Sequence, residues 1–102
     1  MQLETTYRGL SRKDSATATR ALDKGAARFE RLLEEPTALR AVVEGGPEIK
    51  VTLSLNLRKG ELTSLSSGHE LSSVISEACD KIKVQLVRHR HRRESQRRAN
   101  AV

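Results

Sequence analysis

Apolar and polar residues alternate strictly from Ile49 to Leu57. Ile49, Val51, Leu53, Leu55 and Leu57 take turns with Lys50, Thr52, Ser54 and Asn56. A period of two sends the sets to opposite faces of a strand, so this segment predicts a strand buried on one side and polar on the other. That is the pattern of an antiparallel sheet covered on a single face. A second strong pattern has the helical period. Within His69 to Arg93, residues Leu71, Val74, Ile75, Ala78, Ile82 and Leu86 fall at the spacing that gathers them on one face. Beyond Val87 the stripe fails, because Arg92 and Arg93 take the positions where it should continue. Guanidinium groups do not enter a core without partners. This helix is expected to pack by its first half and to carry bare positive charge into solvent by its second.

Weaker signals fill the remaining elements. Leu3, Thr5 and Tyr7 alternate with polar residues and predict a short strand, broken by Arg8-Gly9. A helix is expected from about Ala16 to Leu33, capped by Asp14 or Ser15, with Leu22, Gly25, Ala26, Phe29, Leu32 and Leu33 on one face. Gly25 costs about 1 kcal/mol against Ala in a helix interior, so a close approach to the sheet is expected there. Pro36 is expected to stop this helix. Thr37 to Glu44 reads as a strand, Glu44-Gly45-Gly46-Pro47 as a turn, Arg58 to Glu61 as a hairpin turn and Leu62 to Ser67 as a last strand. The order β-α-β-β-β-α predicts an α+β fold, with two helices packed on one face of a four-stranded sheet. Residues 1–93 are expected to form the domain and 94–102 a basic, mobile tail.

Charge sharpens this picture. From Lys81 onward the chain holds eight Lys/Arg against the single acid Glu94, an excess larger than the whole net charge of +6. The body is therefore nearly neutral and the positive charge lies at one end, which points to nucleic acid or an anionic membrane surface. On the first helix Arg20, Lys24, Arg28 and Arg31 form a basic stripe opposite the buried face. Asp23, Glu30 and Glu34 gather on a separate flank, and Arg31–Glu35 is the one basic–acidic pair at i, i+4 spacing. A stripe sorted in this way suits a polyanionic ligand, and an ordinary solvated face is the alternative. The opening residues contain no apolar stretch of signal-peptide length and nothing approaches a membrane span, so a cytoplasmic protein is expected.

Catalytic chemistry is hard to place. The chain has no Gly-rich phosphate loop, no paired carboxylates bracketing a cleft and no nucleophile elbow. Cys79, the single cysteine, lies beside the apolar stripe and reads as a small packed residue. His89 and His91 form an H-x-H within the basic run without an acidic or thiolate partner, and they extend the cationic surface more readily than they hold a metal. No catalytic residues, metal, cofactor or small-molecule substrate are therefore expected. Tyr7 and Phe29 are the only aromatics, too few for a base-stacking platform. Recognition of folded RNA through phosphates and shape needs none.

The closing helix contains DKIKVQLVRHR, Asp80 to Arg90, and the first helix ends in ARFERLLEE, Ala27 to Glu35. With the opening TTYRGL, these resemble the ribosome hibernation-promoting factor family, which includes the ribosome-associated inhibitor. The family consists of small bacterial β-α-β-β-β-α proteins that bind the small ribosomal subunit. The resemblance implies a protein that lies where messenger and transfer RNA would sit and silences idle ribosomes. By position, the resemblance implies that Lys24, Arg28 and Arg31 on the first helix and Lys81, Arg88 and Arg90 on the second touch ribosomal RNA; the charge pattern adds Arg20, Lys83, Arg92 and Arg93 to the RNA-binding candidates. The resemblance also implies a monomer that acts as a binder, without enzymatic activity. The sequence departs from the family where LSSVIS, Leu71 to Ser76, replaces the usual aromatic, and where Leu65 stands at a usually polar place in the fourth strand. The extra C-terminal domain by which long members pair ribosomes has no counterpart in these residues, so pairing of ribosomes by this chain alone is not expected. Two alternatives stay open: a structured-RNA binder without ribosome preference, and a protein-interaction module whose tail only solubilises it. Val84 and Val87, off the packed stripe, would be the contact patch of the latter.

Overall fold

A computed structural model describes residues 1–35, 37–58 and 60–100, with side chains as far as His89. The elements are β1 (Gln2–Arg8), α1 (Arg12–Glu30), β2 (Ala38–Glu44), β3 (Ile49–Leu57), β4 (Gly60–Gly68) and α2 (Leu71–Asn100). They give the expected α+β order, and the strands lie β1-β2-β3-β4 across one sheet. The sheet is mixed. β2–β3 and β3–β4 are antiparallel, but β1 runs parallel to β2 because α1 carries the chain back across between them.

β3 has the bounds that its alternation predicts, and Val51, Leu53 and Leu55 are fully buried. They meet Leu39, Ala41 and Val43 of β2, and the helices bring Ala18, Leu22, Phe29, Ile75, Ala78 and Ile82 onto the same core. The opposite face of the sheet is open. It carries ion pairs such as Glu4–Arg40 at 3.2 Å and Arg8–Glu44 at 3.7 Å between the parallel strands.

α1 starts four residues earlier than the sequence pattern suggests. Gly9, at φ +66°, turns the chain sharply out of β1 and leaves Ser11 at the helix entry. The Ser11 hydroxyl accepts the Asp14 N–H at 3.1 Å, so Ser11 caps the helix in place of Asp14 or Ser15. The helix also ends earlier, at Glu30. The Leu32 and Leu33 N–H groups turn back to the Phe29 and Glu30 carbonyls at 2.9 and 3.1 Å, a tightening that satisfies the last turn. Pro36, the expected stop, lies outside the described residues. With the helix ended, Arg31 and Glu35 do not form the pair that helical spacing suggested; Glu35 binds Arg58 at 3.7 Å.

Gly25 is needed for helix–helix contact and not for contact with the sheet. A Cβ there would collide with Cys79 Sγ of α2. Cys79 is buried, as expected, and its thiol is pushed up to about 11 by that burial. β4 turns Ser64 and Ser66 inward and Leu65 outward. The small inward side chains let α2 lie close, and Ser64 donates to the Ala78 carbonyl at 2.9 Å.

Candidate nucleic-acid interface

α1 and α2 pack side by side, and between their outer edges runs a groove of about 490 Å³. Thr17, Arg20, Lys24 and Arg28 line it from α1, and Ser72, Ser73 and Ser76 from α2. The i, i+4, i+8 spacing of Arg20, Lys24 and Arg28 stacks the three cations along one wall. The stripe thus edges the helix–helix groove, where the sequence placed it opposite the buried face. Arg31 stands past the last turn of α1, exposed at its C-cap.

Arg28 is fixed in place. Its Nη1 donates to Ser76 Oγ and to Asp80 Oδ1, both at 3.0 Å. The guanidinium keeps further N–H groups for a ligand, since five are available. Arg20 and Lys24 have no ion pair among the described residues, so their charge is uncompensated at short range.

The opposite wall is set by the start of α2. Glu70 accepts the Ser72 and Ser73 N–H groups at 3.3 and 2.7 Å and so caps the helix. Hydrogen bonds from the Ser73 side chain and backbone hold the Glu70 carboxyl below its ordinary value, with the Ser72 N–H acting in the same direction. This cap orders the first turn, which presents Ser72 and Ser73; Ser76 follows on the next turn.

The α2 candidates divide. Lys81 Nζ donates to the Leu65 carbonyl at 2.8 Å and lies 3.6 Å from Glu77, so it is partly engaged in holding β4. Lys83 is half-buried beside Val84, Val87 and Arg88. Arg88 is exposed and without an ion pair among the described residues. The side chains of Arg90, Arg92 and Arg93 lie outside the described residues, as does that of His91.

Sequence reasoning missed Ser72, Ser73, Ser76 and Thr17 as lining residues, and Asp80 as the anchor of Arg28. The serines had a signal only through the resemblance, against which LSSVIS stood out as a departure. Asp80 had none, because its partner is 52 positions away. Among the described residues no three His, Cys, Asp or Glu side chains are grouped to hold a metal, and no helix is long and apolar enough to cross a membrane.

No family model and no curated protein sequence matches the chain. Solved structures do. The N-terminal domain of Protein Y from Thermus thermophilus superposes with a TM-score of 0.75 at 18% identity, over 87% of this chain and 99% of that one. A ribosomal subunit interface protein from Coxiella burnetii gives 0.73 at 12% identity, over 89% and 99%. At such identities the likeness is one of fold. The chain has the fold of these two proteins, and it is the fold that the resemblance to hibernation factors implied.

Proposed function

We propose that this protein is a translation-silencing factor that binds ribosomal RNA of the small subunit through α1 and α2, in the groove used by messenger and transfer RNA. The observation that carries the proposal is the α1–α2 groove, where Arg20, Lys24 and Arg28 face a wall of serine hydroxyls. Cations and hydroxyls at this spacing suit successive phosphates of a folded RNA backbone. The chain acts as a binder and not as an enzyme, the role that cations and hydroxyls holding phosphates suit. The fold shared with a protein described as lying at the ribosomal subunit interface supports the choice of ribosome over RNA in general. Arg88 adds an exposed cation further along α2, and Arg90, Arg92 and Arg93 follow it in the sequence.

The test is a sucrose-gradient profile of starved cells. The protein is expected with small subunits or whole ribosomes, and to be reduced in those fractions when Arg20, Lys24 and Arg28 are changed together to Gln. A protein found only at the top of the gradient, or spread over RNA of every size, removes the ribosomal assignment.

A further inference from the structure

The outer face of α2 and the adjoining edge of β4 hold apolar side chains that the fold leaves uncovered. Leu65, Val84 and Val87 are 61, 49 and 38% exposed. They line two adjoining hollows that share Asp80, Val84 and Arg88. Single exposed apolar residues are ordinary. Three around one surface make a patch, and patches mark contact sites.

Strand addition is not what this patch offers. Lys81 Nζ holds the Leu65 carbonyl, and Gln85 Nε2 holds the Thr63 carbonyl at 2.7 Å. α2 thus already covers outward-facing carbonyls of the β4 edge, and an added strand would have to displace both side chains.

The charges select another occupant. Asp80 and Arg88 lie four residues to either side of Val84, on the same helix face. When two such helices meet antiparallel with Val84 on the two-fold axis, Val84 faces Val84. Arg88 of each copy then falls opposite Asp80 of the other. A two-fold interface must be self-complementary, and this acid-apolar-base order is. Both charged groups are available. Asp80 is 60% exposed and reaches Arg28 through Oδ1, while Arg88 has no ion pair among the described residues. Parallel pairing in register would set arginine against arginine.

We propose that this face of α2 is a self-association surface, on which two copies pair antiparallel about Val84 with crossed Arg88–Asp80 ion pairs. The patch is small, so the chain is monomeric in dilute solution and dimerises as concentration rises. The dimer does not depend on the ribosomal reading.

Sedimentation equilibrium of the full chain, from about 10 µM to about 1 mM, tests it over the range where weak association is visible. The weight-average mass is expected to climb from 11.4 kDa toward twice that value. Val84→Glu and Arg88→Asp should each weaken association at least tenfold, the second by setting acid against acid. The double variant Asp80→Arg/Arg88→Asp should recover it to within a few-fold of the native chain, because it reverses the pair. Circular dichroism checks that variant, since Asp80→Arg places a second guanidinium beside Arg28. Val84→Glu leaves Arg28, Asp80 and Arg88 themselves unchanged and decides the matter if the double variant does not fold. A chain still monomeric at about 1 mM overturns the proposal, as does a dimer that survives Val84→Glu. A folded double variant that stays monomeric overturns the crossed pairing.

Discussion

Gly25 and Cys79 show how one atom sets the distance between the helices. In an isolated helix, Gly25→Ala would add about 1 kcal/mol of stability through helix propensity alone. Here the new methyl would meet Cys79 Sγ, and the Cys79 Cβ at 2.9 Å, in a closed interior. Overpacking of this kind typically costs about 1–3 kcal/mol, so after the propensity gain the expected net effect is a destabilisation of up to about 2 kcal/mol. In a Cys79→Ala background the same substitution should cost less, because the sulfur has gone, and a double-mutant cycle in urea measures that coupling. A Gly25→Ala variant more stable than the native chain would contradict the close contact. The position of Cys79 also explains its chemistry. A thiol 1% exposed and raised to about 11 is neutral at physiological pH and shielded from reagents. Asp80 acts at the same scale. As an exposed partner of Arg28 it adds little stability, within about 1 kcal/mol, but with Ser76 it fixes where the guanidinium stands in the groove.

Among the elements, α2 depends most on a single side chain at its start. Glu70 bonds the Ser72 and Ser73 N–H groups, and its lowered pKa means that the folded state prefers the carboxylate. A group with a depressed folded pKa stabilises fully above its unfolded value, and that contribution is lost as pH falls through the folded one. Glu70→Gln is therefore expected to lower Tm at pH 7, and the gap from the native protein should close below the ordinary glutamate range. Thermal melts at pH 7 and pH 3 check this, and an equal gap at both would show that charge is not the cause. Legibility also differed by element. β3 could be read to the residue because its alternation has a strong contrast. The core stripe of α2 was legible for the same reason at the helical period. The bounds of α1 were not, since Ser11 becomes the cap through the sharp turn at Gly9, and several nearby residues can cap equally well. β4 looked weak because its buried side chains are Ser64 and Ser66, whose inward placement is set by the register with β3 and the fit to α2. The parallel pairing of β1 with β2 leaves no mark in local sequence. The basic residues of the candidate site were legible by charge alone. Their partners Ser76 and Asp80 were not, because they come from the other helix.

At the scale of the whole molecule, the placement of charge makes a quantitative demand. The groove gathers Arg20, Lys24 and Arg28 on α1, and the remaining excess lies along α2 from Arg88 onward, so a flat polyanion can touch both only if both helices dock. If these cations bind phosphates, association releases counterions, and log K falls linearly with log salt by roughly 0.7–0.9 for each phosphate neutralised. Changing Arg20, Lys24 and Arg28 together to Gln should weaken ribosome binding and flatten that slope by up to about one unit for each phosphate left without its cation. The fold should survive, because all three side chains are exposed and the Arg28–Asp80 pair is a surface pair. Changing Arg88, Arg90, Arg92 and Arg93 should have a separate effect of the same kind. If α2 were a nonspecific tether, its variant would abolish binding and the α1 variant would bind as the native chain does. Ribosome pelleting at several salt concentrations separates the two, with circular dichroism to confirm that each variant is folded. Under two-helix docking each variant retains part of the affinity and part of the slope, and native-like binding by the α1 variant would rule that docking out whatever α2 does.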